Sequence, residues 1–152
     1  MDTENTNFHT TRAKTVKIER DRQRNLKRLT TPDQNSVDFE YDGWNRVVRA
    51  FDNQKRLIHY FYDVAGRLIE VQKASLNTRF DYDYDDITAI YENGQRLVEF
   101  KYVWGRLDQI LLFGGRKYRI RYDRDPTDKS KILRTYLTEP DGRVTKFDIK
   151  PE

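Results

Sequence analysis

The chain has 152 residues, 36% charged and 36% hydrophobic, with 29 Lys and Arg against 25 Asp and Glu. That length fits one domain of ordinary size, and the apolar content sits just above the level at which a charged chain reads as disordered. Cysteine is absent, which excludes a disulfide framework, a thiolate zinc site and a cysteine nucleophile. No apolar run is long enough to span a membrane, and the start MDTENTNFHTTR has no signal-peptide apolar core.

Ten Tyr and eight Phe beside a single Met favour strands over helices. The positive charge is local. Residues 1–31 hold eight Lys or Arg and four Asp or Glu, while the remainder is balanced. A second basic excess lies at 116–134, offset by Asp81, Asp83, Asp85 and Asp86. Charge runs of this kind are mostly solvated faces with cross-strand pairs.

In chain order, a polar tail is expected over 1–11, a β-sheet domain over 12–149, and a short tail over 150–152. Within the domain a degenerate unit, KIERDRQRNLKRL (Lys17–Leu29), is followed by FEYDGWNRVVRAF (Phe39–Phe51) and FYDVAGRLIEV (Phe61–Val71). DYDDITAIY (Asp83–Tyr91), KYVWGRLDQIL (Lys101–Leu111) and RYDRDPTDKSKILRTY (Arg121–Tyr136) come next. The anchor reads Arg20, Tyr41, Tyr62, Tyr84, Tyr102, Tyr122, at intervals of 21, 21, 22, 18 and 20 residues. Such regularity marks a structural repeat. Each unit is an alternating strand ending in aromatic-Asp, a short turn, and a second strand opened by Arg. TPDQNS, FDNQK, ENGQ, FGGR and EPDGR supply the turns between units, with Asn-Gly, Gly-Gly and Asp-Gly providing positive φ. The pattern predicts an all-β antiparallel meander of about 12–13 strands.

The alternation sorts the side chains into two faces. Val37, Phe39 and Tyr41 point one way, as do Ile58, Tyr60 and Tyr62; Phe80, Tyr82 and Tyr84; Val98, Phe100 and Tyr102; and Tyr118, Ile120 and Tyr122. The other face carries Arg79, Asp81 and Asp83, Glu99 and Lys101, or Lys117, Arg119 and Arg121. With no helix to cover the apolar side, the sheet is expected to curl on itself, associate, or form a wall of something larger.

The aromatic-Asp and Gly-Arg-Leu grammar resembles the YD repeats of bacterial Rhs proteins, insecticidal toxin-complex cocoons and teneurins. FYDVAGRL (Phe61–Leu68) carries the full motif. YDGWNRV (Tyr41–Val47), YVWGRL (Tyr102–Leu107) and TEPDGRVTKF (Thr138–Phe147) are near matches. The resemblance implies hairpins joined in one sheet that forms a curled single layer or an open fragment of a shell. It also implies a scaffold role, the Tyr as a packing residue, and synthesis in the cytoplasm with possible export. Six units are fewer than such shells use. Asp125-Pro126 also lacks the following glycines of the Rhs cleavage motif, so self-cleavage is not expected.

No catalytic, cofactor or metal site is expected. His9 and His59 are the only histidines, and neither has a nucleophile or carboxylate placed beside it by sequence. Asp81, Asp83 and Asp85 lie on one strand face, about 6.5–7 Å apart, too dispersed for a cation shell. They are expected to pair with Arg or Lys of adjacent strands. Candidate contacts for a partner are Trp44 and Trp104 at equivalent turns, with Arg46 and Arg106 beside them, and the stripe Arg116, Lys117, Arg119 and Arg121. A turn tryptophan is expected to fold back over the apolar face, because large aromatics usually bury. The function expected is a non-enzymatic scaffold or interaction module. Its apolar face or edge would dock a protein partner, a like chain or a polypeptide cargo. The alternative is a polyanion, a glycan or less readily nucleic acid, held by the basic regions near 12–28 and 116–134. Nucleic acid is disfavoured because Tyr118 and Tyr122 alternate with Arg119 and Arg121 onto the opposite face.

Overall fold

The computed structural model describes residues 15–148. The expected tails, and the domain limits at 12 and 149, lie outside these. The described residues form thirteen strands and no helix. They are β1 (Lys17–Arg20), β2 (Leu26–Thr30), β3 (Ser36–Tyr41), β4 (Val47–Asp52), β5 (Leu57–Tyr62), β6 (Leu68–Lys73) and β7 (Leu76–Asp83). There follow β8 (Asp86–Glu92), β9 (Gln95–Val103), β10 (Arg106–Leu112), β11 (Lys117–Arg124), β12 (Ile132–Thr138) and β13 (Val144–Asp148). They pair in sequence order as one meander that does not close: β1 and β13 are its edges. The described chain divides into two units, one ending at His59 and one starting at Tyr60.

Two turn chemistries set the hairpins. In the longer one, an Asp or its equivalent opens a type I turn and the fourth residue is left-handed, a combination that restores the strand twist. At Asp42–Arg46, Asn45 N–H donates to the Asp42 carbonyl at 3.1 Å and Asp42 N–H to the Arg46 carbonyl at 2.9 Å. Asn45 has φ 61°, and its counterparts Lys55 and Gly66 have φ 63° and 89°. The shorter turn has two residues, as at Asn93-Gly94 and Trp104-Gly105, where both are left-handed.

Register places the apolar side chains together. In the first unit Ile18 faces Leu29, Leu29 faces Val37, and Ala50 lies between Phe39 and Ile58. In the second unit Phe80, Ile90, Val98 and Leu112 are successive neighbours, as are Phe100, Ile110 and Tyr118. The reverse face pairs charges: Arg28 meets Asp38 at 2.7 Å and Arg49 meets Glu40 at 2.9 Å, each directly cross-strand. His59 faces Arg49 on that polar side, as the alternation requires.

A single layer cannot bury a large side chain on both sides. Only Ala50 and Ala89 are buried among the described residues, while most of the aromatic-aliphatic stripe is half-buried.

The repeat anchor differs from the sequence reading at one position. Tyr82, not Tyr84, occupies the anchor site, because Tyr82 faces Ile87 in β8 whereas Tyr84 lies beyond β7 in the turn. The true anchors, Tyr41, Tyr62, Tyr82, Tyr102 and Tyr122, recur at intervals of 21, 20, 20 and 20 residues. The run DYDYDD offers two tyrosines two residues apart, so alternation alone does not separate them.

Candidate functional site

The recurring grammar resolves into an interlock. Tyr82 and Tyr102 each sit opposite a β-bulge, at Ile87/Thr88 and Leu107/Asp108, where two residues oppose one. A bulge leaves a backbone group out of the ladder. The tyrosine of the next hairpin supplies the missing partner. Tyr102 Oη donates to the Ile87 carbonyl at 3.0 Å and Tyr122 Oη to the Leu107 carbonyl at 2.8 Å. Tyr82 reaches the Leu68 carbonyl at 2.7 Å and, in the first unit, Tyr41 the Leu26 carbonyl at 2.9 Å. At these four positions a hairpin is completed by the one that follows it. Burial, with a smaller contribution from the Asp86 carboxylate, raises the Tyr102 hydroxyl above its ordinary pKa, which keeps the donor protonated.

The Asp and Arg of the motif lock the turn. Asp63 Oδ1 accepts Arg67 N–H at 2.9 Å and Oδ2 accepts Arg67 Nε at 2.7 Å. The guanidinium then lies 4.9 Å from the Tyr82 ring centre. Asp42 makes the same pair with Arg46 and also accepts Trp44 N–H. The Asp63 carboxyl is held below its ordinary pKa by the Arg67 backbone N–H and guanidinium, which outweigh burial. For Asp42, burial pushes upward, yet the Arg46 and Trp44 donors together leave it lowered. A lowered folded-state value means that stability is fully present above the ordinary carboxylate pKa and is lost as pH falls through the folded value. The thermal midpoint is therefore expected to stay level above about pH 5 and to fall below about pH 4. The decline should be shallower in Asp42→Asn/Asp63→Asn, and a midpoint unmoved at low pH would contradict the assignment.

Of the candidate contacts, Trp44 and Trp104 do not fold back. They are 79% and 90% exposed, because each projects from a turn beyond the last rung of its hairpin. Their turns also differ: Trp44 belongs to the longer Asp42–Arg46 turn, Trp104 to a two-residue turn with φ 54°. Arg46 is committed to Asp42 and lies 5.0 Å from the Trp44 ring centre. Arg106 lies 5.9 Å from the Tyr122 ring and donates to the Ser130 carbonyl at 3.3 Å.

Lys117, Arg119 and Arg121 alternate along β11 and are all exposed, with Arg116 in the turn before it. Arg121 is engaged, bonding Asp123 at 2.6 Å and lying 4.0 Å from the Tyr136 ring centre. Tyr136 was missed as a neighbour because it comes from β12 and faces Arg121 only through strand register. The same arrangement sets Arg79 over Tyr91, at 4.3 Å. Of the three aspartates expected to pair with basic residues of adjacent strands, Asp81 instead meets Arg79 of its own strand, at 3.5 Å, and faces Ala89 across β8. Among the described residues Asp83 and Asp85 make no ion pair, and the Arg67 guanidinium that reaches this tip donates to the Tyr84 carbonyl between them. Among the described residues no group of three His, Cys, Asp or Glu is placed to hold a metal.

Trp104 pays for its place with a left-handed backbone that Asn or Gly adopts far more readily. Trp104→Asn creates the Asn-Gly pair already used at Asn93-Gly94, and is expected to raise stability by about 0.5–1 kcal/mol. A lower urea midpoint in that variant would show that the indole has a packing role.

A search of the curated proteins finds no match. The description Teneurin YD-shell matches residues 6–132, which takes in the repeats from the first hairpin to the start of β12. The tyrosine-capped bulges and Asp-Arg turns lie within that stretch, and on this match the chain belongs to the Teneurin YD-shell family.

Proposed function

We propose that the chain is a non-catalytic scaffold whose apolar face docks protein: a partner, a like chain or a polypeptide cargo. Membership of a shell-forming family supports a structural role. The observation that carries the reading is that, among the described residues, no second layer covers the stripe. Phe80, Ile90, Val98, Phe100 and Ile110 share one side of the second unit and stay half-buried. Apolar surface left in this state favours association at roughly 25 cal/mol for each Å² covered. The β13 edge, exposed at every residue, is a second surface of the same kind, open to an added strand.

Dye binding tests the reading. The folded chain is expected to bind an apolar fluorescent dye at neutral pH, unaffected by salt, and Phe100→Lys should weaken that binding several-fold. The polyanion alternative predicts the reverse: tight binding of heparin that falls steeply as salt rises, with no dye binding.

A further inference from the structure

The β13 edge carries a self-complementary pattern. Glu139 N–H donates to the Arg143 carbonyl at 2.8 Å, so these two residues point at each other across the last turn. The ladder then runs without a bulge from Thr138–Val144 to Arg134–Asp148, which turns the main-chain N–H and C=O of Val144, Lys146 and Asp148 away from β12. Among the described residues no strand lies on that side, and every residue of β13 is exposed. No proline or bulge blocks the edge. Phe147 stands opposite Thr135, which stands opposite Tyr122, so its exposed ring continues the apolar stripe. Lys146 and Asp148 project on the charged side, 3.0 Å from each other, with Arg134 a second partner of Asp148 at 3.2 Å.

We propose that β13 pairs antiparallel with β13 of a second copy, about a two-fold axis at Phe147. The pairing rests on the reading of that edge as a docking surface and names its occupant. Lys-Phe-Asp, read against itself in reverse, sets each Lys146 opposite Asp148 of the second copy and Phe147 opposite Phe147. The outward groups of Lys146 and Asp148 then close four main-chain hydrogen bonds, and both apolar faces stay on one side. An axis at Lys146 would instead oppose two ammonium groups, and a slip of one residue would send Phe147 to the charged side of the partner strand. An unrelated peptide strand would gain the main-chain bonds without the matched charges and rings. The contact is isologous, so it closes at two copies and does not extend into a fibre.

The full chain has no cysteine, so a single introduced thiol reports the register. Phe147, whose main-chain groups face β12, forms a non-hydrogen-bonded pair with its copy, and the Cα atoms of such a pair lie about 4.5 Å apart, within reach of a disulfide. Phe147→Cys is therefore expected to give a disulfide-linked dimer under mild oxidation. In the control Thr145→Cys the two thiols lie four residues out of register, about 13 Å apart along the strand, and should not cross-link. Adding Lys146→Glu to the Phe147→Cys chain should slow cross-linking about two- to tenfold, and adding Asp148→Lys as well should restore it. That rescue separates lost charge matching from lost fold. Equal cross-linking at 145 and 147, or none at 147, would overturn the pairing. Dye binding by the same samples keeps the result apart from the apolar-face reading, because Phe80, Val98 and Phe100 stay in place. Dye binding without cross-linking removes the edge pair alone, and cross-linking without dye binding supports the pair and removes the apolar-face reading.

Discussion

Replacing Tyr102 with phenylalanine is expected to lower stability by about 1–2 kcal/mol, although only one oxygen is removed. The reason lies on the neighbouring hairpin. The Ile87 carbonyl sits at the Ile87/Thr88 bulge and takes its partner from Tyr102 Oη, 3.0 Å away. Without the hydroxyl, a half-buried acceptor is left unsatisfied, and that penalty exceeds the net value of an ordinary hydrogen bond. Truncation to alanine also removes a ring from the apolar stripe and should reach about 3–4 kcal/mol. Tyr84→Phe is the internal control, because its side chain is exposed and caps nothing; its change should lie within about 0.5 kcal/mol. Urea unfolding of the three variants checks the ranking. Equal effects at Tyr84 and Tyr102 would contradict the capped-bulge interlock.

Asp63→Ala is the second large effect, a loss of about 1–2 kcal/mol. The carboxylate holds the Arg67 backbone N–H and guanidinium at once, and Arg67 in turn lies over Tyr82 and donates to the Tyr84 carbonyl. Removing it frees the turn and the guanidinium that ties it to the next hairpin. A double-mutant cycle between Asp63 and Arg67 should therefore show coupling of about 0.5–1.5 kcal/mol, measured by the same unfolding. Additive effects would mean that the turn and the ring contact are separate. Asp85→Asn, equally close to a turn, should be neutral or stabilising, because it removes charge from an already acidic tip.

Much of the fold is legible in the sequence because a strand has an exact period of two. A run such as LVEFKYV sets Val98, Phe100 and Tyr102 on one face whatever the register, and Asn93-Gly94 or Gly114-Gly115 marks where the chain must turn. The repeat interval gives the meander, since a short turn leaves each strand nowhere to pair but beside its predecessor. What period two cannot resolve is position within a run. DYDYDD places Tyr82 and Tyr84 on one nominal face, and only the bulge at Ile87/Thr88 shows that the strand ends between them.

The surfaces were harder to read. Trp44 and Trp104 look alike in sequence, three and two residues past the anchors Tyr41 and Tyr102, and general preference for burial suggests that they fold inward. They do not, because a hairpin tip lies beyond the last rung and offers no apolar surface to cover. Arg46 and Arg106, which sequence suggests as free contacts, are drawn into the turn and the neighbouring loop by Asp42 and the Ser130 carbonyl. Arg121 and Tyr136 are brought together by register between β11 and β12, information that the interval of 15 residues does not contain.

The low hydrophobicity that first suggests a weak core follows from the architecture. One apolar face and one charged face require equal shares of each residue class, and the chain has 36% of both. Light scattering across a range of concentrations, at low salt and at about 1 M, tests most directly whether that apolar face needs a cover. The account predicts a mass above the 18.4 kDa of one chain that grows with concentration and does not fall with salt. A stable particle of 18.4 kDa under every condition would contradict it.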